Sequence, residues 1–85
     1  MDTPTAVRCF QAIGQAHRLE MFQHLAQAGD SGMTAGSIAE ELDLAPSQVS
    51  FHLKELEASG LCFTEREGRF IRYRIAPDSV RELLE

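Results

Sequence analysis

The apolar pattern of this chain changes its period once, at Gly60, and this change constrains the fold more than any other feature. Before Gly60, apolar residues recur at the helical spacing of about 3.6 residues, in segments separated by turn signals. After it, apolar and basic residues alternate in two short runs joined by Glu67-Gly68, which predicts a β-hairpin. The 85 residues suffice for one domain with one core.

Capping signals mark the first two helices. Thr3-Pro4 predicts the start of the first helix, with Thr3 as its N-cap and Pro4 in its first turn. The second helix is predicted from about His17 to Ala28, with Gly29 as its C-terminal cap. Its residues expected to face the core are apolar at helical spacing: Leu19, Phe22, Leu25 and Ala26.

A short helix, a three-residue break and a longer helix follow. Thr34 predicts the cap of the short helix, and the longer one is expected from Pro46 to Ser59. Two strands, Leu61–Arg66 and Arg69–Ala76, and a last helix complete the order. This order predicts a mainly α (α+β) fold, a winged helix-turn-helix with a two-stranded β-hairpin wing. The single domain, residues 1–85, then has its helix-turn-helix over residues 34–59 and its wing over residues 61–76.

The longer helix carries a large ring on its polar face. Val49, Leu53 and Leu56 share one side, and Phe51 falls almost opposite. A helix fits the major groove of DNA, where its N-terminal side chains read base edges. We therefore expect Phe51 to contact a thymine methyl group or a sugar, and Gln48 to read adenine with both amide atoms. The other candidate DNA contacts on this face are Ser47, Ser50 and Lys54.

Two alternatives remain open for this face. In the first, Phe51 serves a crystal or subunit contact; in the second, it folds back against the neighbouring turn. His52, at the edge of the apolar side, is interpreted first as a hydrogen-bonded residue at the border of the core and second as a phosphate contact.

Basic residues concentrate in one part of an acidic chain. The net charge is −5, but residues 46–74 hold five basic and four acidic residues, a balance of +1 against −6 for the remainder. Such a local excess can orient a protein toward a phosphate backbone. In the wing, Arg66, Arg69 and Arg72 are candidate DNA contacts. The alternative, pairing with Glu65 and Glu67, is favoured for Arg74.

Other classes of function find little support. The chain has no phosphate loop, HExxH pattern or nucleophile elbow, so we do not expect an enzyme. It has no run of about 20 apolar residues and no signal peptide, so we expect no membrane partner and a cytoplasmic location. Cys9 and Cys62 are predicted to be reduced thiols.

Three blocks of the sequence resemble the ArsR/SmtB family of small bacterial winged-helix repressors: AIGQAHRLEMFQHL, IAEELDLAPSQVSFHLKELEASGL and REGRFIRYRI. The resemblance implies a homodimer that occupies double-stranded DNA at an inverted-repeat operator and releases it when an effector, often a metal ion or metalloid, binds. It also implies pairing through the first and last helices, residues 1–16 and 77–85. The interface residues would be Ala6, Phe10, Ile13, Val80, Leu83 and Leu84.

The sensing residues of the family have no clear counterpart here. Where many relatives carry a cysteine motif, this chain has Gly32-Met33-Thr34-Ala35-Gly36-Ser37. We predict no metal ligand and no cofactor within these residues, and a metal or metalloid effector only through a tail beyond Glu85. Two alternatives stay open, a winged-helix module that binds a protein partner and a thiol- or redox-responsive repressor, although no protein partner is predicted.

Overall fold

The computed structural model describes all 85 residues, Met1–Glu85, as a winged helix-turn-helix. None of its helices is long and apolar enough to cross a bilayer. The helices are α1 (Thr3–Ile13), α2 (Ala16–Ala28), α3 (Ala35–Leu42), α4 (Pro46–Ala58) and α5 (Pro77–Leu84). The strands are β1 (Met33–Thr34), β2 (Cys62–Glu67) and β3 (Phe70–Ile75), and a 3-10 turn, Gly29–Ser31, connects α2 to β1.

Side-chain caps begin three of the helices, with Asp2 at α1, Gln15 at α2 and Thr34 at α3. The prediction of Thr3 as the cap of α1 is wrong by one residue: Asp2 Oδ1 accepts the Thr5 backbone N–H at 2.8 Å. Hydrogen bonding by Thr5, first from its side chain and then from its backbone N–H, holds the pKa of Asp2 below its usual value. Thr34 caps α3 as predicted, because its Oγ1 accepts the Ser37 backbone N–H at 3.1 Å. Gly29, with φ +58°, ends α2 as expected.

The core lies where α4 packs on α2 and α3. Val49, Leu53 and Leu56 of α4 are fully buried, as the periodicity predicts. Each such side chain contributes about 1.5–3 kcal/mol by leaving water. The other fully buried side chains of this core cluster are Met21, Leu25 and Ile38.

The buried side of α2 differs from the predicted one. Met21 and Leu25 are fully buried, whereas Leu19 is 43% exposed and Ala26 is also exposed. The prediction that Leu19 and Ala26 face the core is therefore wrong, and Phe22 is only half-buried. The helix packs against α1, α4 and β3, and this places Met21 and Leu25 inward, with Leu19 and Ala26 roughly 120° around the helix.

The sheet has one strand more than the predicted hairpin. Its order is β1-β3-β2, all antiparallel, with Thr34 opposite Arg72 and Met33 opposite Tyr73. The hairpin strands themselves begin one residue later than predicted. β1 escaped the prediction because two residues, Met33 and Thr34, are too few to show an alternating pattern.

Gly32 lets the chain before β1 pass close to β3. Its φ is +62°, and a Cβ atom there would lie 2.6 Å from the Tyr73 carbonyl oxygen. Gly29 has a similar φ of +58°, but a Cβ atom there would meet nothing within 4 Å. Gly29 therefore provides a control for backbone strain without a steric clash.

We expect Gly32→Ala to destabilise the protein more than Gly29→Ala does. Both variants incur backbone strain of about 1–3 kcal/mol, and the clash with β3 adds roughly 1–3 kcal/mol for Gly32→Ala alone. Urea unfolding followed by circular dichroism measures both. Equal losses of stability in the two variants would contradict the close approach of residue 32 to β3.

Candidate nucleic-acid interface

Helix α4 presents a polar face to solvent because its opposite face is sealed in the core. Ser47, Gln48, Ser50 and Lys54 are exposed, and the Phe51 side chain is 59% exposed. All five were predicted to lie on this face. The structure therefore brings together, on one accessible helix, the short polar groups, the ring and the cation that groove reading needs.

The Phe51 ring stands mainly in water. Its only ring neighbour is His52, edge-on, with centroids 5.4 Å apart and planes at 69°. This contact with His52 is the only support for the alternative that Phe51 folds back on its own helix. A single exposed aromatic ring is ordinary on a protein surface, so it is the position of Phe51 beside the polar and basic side chains of α4 that makes it a candidate contact.

The Gln48 side chain has a structural task that the sequence analysis did not foresee. Its Oε1 accepts the Ala45 backbone N–H at 3.3 Å, at the start of α4. An amide oxygen has two lone pairs, so this bond leaves the second lone pair of Oε1 for a base, and the contact of Gln48 with adenine stays a prediction. The amide N–H donors of Gln48 remain available to a base.

His52 lies at the border between the core and the polar face. Its Nδ1 lies 3.2 Å from Nη1 of Arg18, and the His17 ring lies 5.6 Å away. Burial first, then the charges of Arg18 and His17, lower the pKa of His52. This environment fits the first interpretation of His52, a hydrogen-bonded residue at the core border. Arg18 could not be recognised from the sequence, because nothing local connects two residues 34 positions apart.

Two arginines of the wing are held by carboxylates of β2. Arg72 Nε lies 2.9 Å from Glu67 Oε1, and Arg74 contacts Glu65 and Glu67 at 3.0 Å each. Both also donate to backbone carbonyls of the Gly29–Ser31 turn. Hydrogen bonds from the two guanidinium groups hold the pKa of Glu67 below its usual value. Arg72 is therefore engaged within the wing of the free subunit, as the pairing alternative describes for Arg74, and its contact with DNA stays a prediction.

Three basic residues near the recognition surface remain without ion pairs. Lys54 on α4 and Arg66 and Arg69 on the wing are exposed, and none of them belongs to an ion pair of the subunit. The wing also exposes two apolar side chains that the sequence analysis did not single out, Phe70 at 62% and Ile71 at 45%.

The first and last helices leave apolar surface uncovered. Phe10 on α1 is 54% exposed and Leu84 on α5 is 78% exposed. The other predicted interface residues are half-buried: Ala6, Ile13, Val80 and Leu83. Ile13 also packs against the core cluster. Helix α5 has no buried residue and only weak contacts with the rest of its subunit.

Comparison with known proteins identifies the family. A family model described as a helix-turn-helix domain matches residues 13–61, from the end of α1 to just beyond α4. The transcriptional repressor SdpR of Bacillus subtilis is 35% identical over 66 residues, which are 78% of this chain and 70% of SdpR. The HTH-type transcriptional regulator KmtR of Mycobacterium tuberculosis is 32% identical over 92% of this chain.

A solved structure agrees over nearly the whole chain. It is the homodimeric winged helix-turn-helix DNA-binding domain of Mb0332 from Mycobacterium bovis, described as a possible ArsR-family transcriptional regulator. The TM-score is 0.82 at 28% identity, over 95% of this chain and 73% of that domain. The chain belongs to the ArsR family of winged helix-turn-helix transcriptional regulators. It spans 58% of the length of KmtR.

Both cysteines of this ArsR-family chain are buried free thiols. Cys9 is fully buried, and its Sγ donates to the Ser59 carbonyl oxygen at 3.4 Å. Burial, with a smaller effect of the Glu57 charge, raises the pKa of Cys62 to about 12. Because the thiolate is the form that binds metal and attacks disulfides, the environment of Cys62 disfavours both reactions.

We expect neither thiol to react readily in the folded protein. At about pH 8, iodoacetamide should modify Cys9 and Cys62 at least about 100-fold more slowly than it modifies the urea-unfolded chain, because both are buried and Cys62 stays protonated. Mass spectrometry of timed samples measures the rates. Modification of either thiol at the unfolded rate would revive the thiol-responsive alternative.

Proposed function

We propose that this protein binds double-stranded DNA as a homodimer and represses transcription from an inverted-repeat operator. The observation that carries the proposal is the exposed face of α4, with Ser47, Gln48, Ser50, Phe51 and Lys54 outward and Val49, Leu53 and Leu56 buried. Repression is the activity named for SdpR, and the family resemblance points the same way.

The side chains of α4 suit a helix lying in the major groove. Ser47 and Ser50 are short enough to let the backbone approach the base edges, and Phe51 offers an apolar surface for a thymine methyl group. Lys54, farther along the helix, would reach a phosphate. On the wing, Arg66 and Arg69 would bind the backbone, so they would position the protein and add little sequence selectivity.

The uncovered apolar surface of α1 and α5 supports the dimer. Phe10 and Leu84 stand in water in the single subunit, and α5 has little else to hold it in place. A two-fold pair through these helices would bury both side chains. It would also bring two copies of α4 to successive major grooves about 34 Å apart, which matches an inverted repeat.

The proposal also includes release of the DNA by an effector, and this part rests on the family resemblance. The two thiols are buried, and no group of three or more His, Cys, Asp and Glu side chains is arranged to hold a metal ion. We therefore propose no metal or metalloid ligand among residues 1–85. Mobility shifts repeated with arsenite, antimonite and zinc would identify an effector.

The salt dependence of DNA binding tests the proposal. Six free cations in a dimer, three from each subunit, would give a log–log slope of about −5, since each neutralised phosphate contributes about −0.9. The measurement is a mobility shift on a duplex from the protein's own upstream region, between about 50 and 200 mM salt. No binding in this range would reject the proposal, and salt-independent capture of a protein would favour the protein-interaction alternative.

Phe51→Ala should weaken this binding about tenfold without lowering the melting temperature, because the ring would contact DNA and supports no core packing. Phe63→Ala is the control: Phe63 is also exposed, at 38%, but lies on β2 and lines a pocket with Ala26 and Pro77. Titration of both variants by fluorescence anisotropy measures the effect. An unchanged affinity for Phe51→Ala, or an equal loss for Phe63→Ala, would remove Phe51 from the interface.

Phe10→Lys should convert the dimer to a monomer. A charge in the centre of an apolar interface should raise the dimer dissociation constant at least about 30-fold. The control is Gln11→Lys, which adds the same charge roughly 100° around α1 from Phe10. Sedimentation equilibrium measures both. A Phe10→Lys protein that stays dimeric would show that the subunits pair elsewhere.

A further inference from the structure

One guanidinium group joins three helices of the subunit. Arg18 lies in the first turn of α2, and its Nε donates to the Ala12 carbonyl oxygen near the end of α1. Its Nη1 lies 3.2 Å from Nδ1 of His52 in the middle of α4. Arg18 takes part in no ion pair, so these two acceptors are its main partners.

The contact with Arg18 fixes the protonation pattern of His52. An arginine side chain has only N–H donors, so Nδ1 of His52 must accept with its lone pair. A neutral imidazole then carries its single proton on Nε2. Burial, the Arg18 charge and the His17 charge all lower the pKa of His52, and only Glu55 opposes them, so the ring is neutral at neutral pH.

His52 in turn lies beside the residue expected to touch DNA. The Phe51 ring stands edge-on to the His52 ring, with centroids 5.4 Å apart. A change in the orientation of His52 would therefore move the surface on which Phe51 rests. The path from the end of α1 to the exposed face of α4 thus runs through two hydrogen bonds and one ring contact.

We propose that Arg18 is a positioning residue for DNA recognition. By holding His52 in the Nε2–H form, it fixes α4 against α1 and α2 and leaves Nε2–H as the one donor that His52 can offer to a phosphate. The proposal rests on the proposed DNA binding. It assigns Arg18 no contact with DNA of its own, so it differs from a general effect of positive charge.

Arg8 provides the matched control for charge. It lies on α1, is exposed, and makes only a long contact of 3.5 Å with Thr5 Oγ1. Arg8→Gln and Arg18→Gln remove the same charge from neighbouring helices. Arg18→Lys keeps the charge but offers one nitrogen in place of the fork that reaches both Ala12 and His52.

DNA affinity separates positioning from charge. On the duplex from the protein's own upstream region, Arg18→Gln should weaken binding about tenfold more than Arg8→Gln does, because a hydrogen bond from a charged donor is lost. Arg18→Lys should lose nearly as much as Arg18→Gln despite keeping its charge. Equal affinities for Arg18→Gln and Arg8→Gln, or full activity of Arg18→Lys, would overturn the proposal.

The imidazole nitrogens give a readout that does not depend on DNA. The chain has three histidines, so ¹⁵N spectra of the rings can be assigned with His52→Gln. In the unaltered protein His52 should show the Nε2–H form, and in Arg18→Gln a mixture of both neutral forms. An Nδ1–H form in the unaltered protein, or an unchanged spectrum in Arg18→Gln, would overturn the contact.

The DNA titrations and the imidazole spectra test the proposed DNA binding and the positioning role of Arg18 separately. If the unaltered protein fails to bind the duplex, the proposed function falls, while the ring spectra still decide whether Arg18 holds His52. Thermal unfolding checks that each variant is folded. If Arg18→Gln does not fold, the affinity and spectrum of Arg18→Lys and the spectrum of the unaltered protein decide the outcome.

Discussion

The burial of one side of α4 is the interaction on which the rest of the structure depends. Val49, Leu53 and Leu56 fill the space between α2 and α3, and together they fix the rotation of α4 about its own axis. Once that rotation is fixed, the opposite residues have no access to the core. The exposure of Phe51 is thus first a consequence of core packing, to which the edge contact with the His52 ring adds.

Features set by neighbouring residues could be predicted from the sequence. The two faces of α4 follow from residues three or four positions apart, and the Thr34 cap follows from a bond to a backbone N–H three residues later. The end of α2 at Gly29 depends on the backbone freedom of one residue. In each case the partners lie within one helical turn, so the local pattern contains the information needed.

Features set by distant segments could not be predicted in this way. Arg18 and His52 are 34 positions apart, and Arg74 reaches a carbonyl 44 positions away. For Arg72, a basic residue on a wing fits a phosphate and a neighbouring carboxylate equally well, and only the fold shows that Glu67 is within reach. The prediction of which side of α2 is buried was wrong for the same reason, because that side depends on which elements pack against the helix.

For the dimer that we propose, the distribution of charge would make dimerisation and DNA binding parts of one equilibrium. Arg72 and Arg74 are occupied within the wing, so a subunit of net charge −5 keeps three unpaired cations near α4. Three phosphate contacts give a single subunit little affinity at physiological salt, because each contact loses strength as counterions compete. The proposed dimer would double the number of phosphate contacts, and binding of the first subunit would place the second at a high effective concentration beside the next groove. Apolar burial at α1 and α5 in the proposed dimer would thereby strengthen DNA binding without a contact between those helices and DNA.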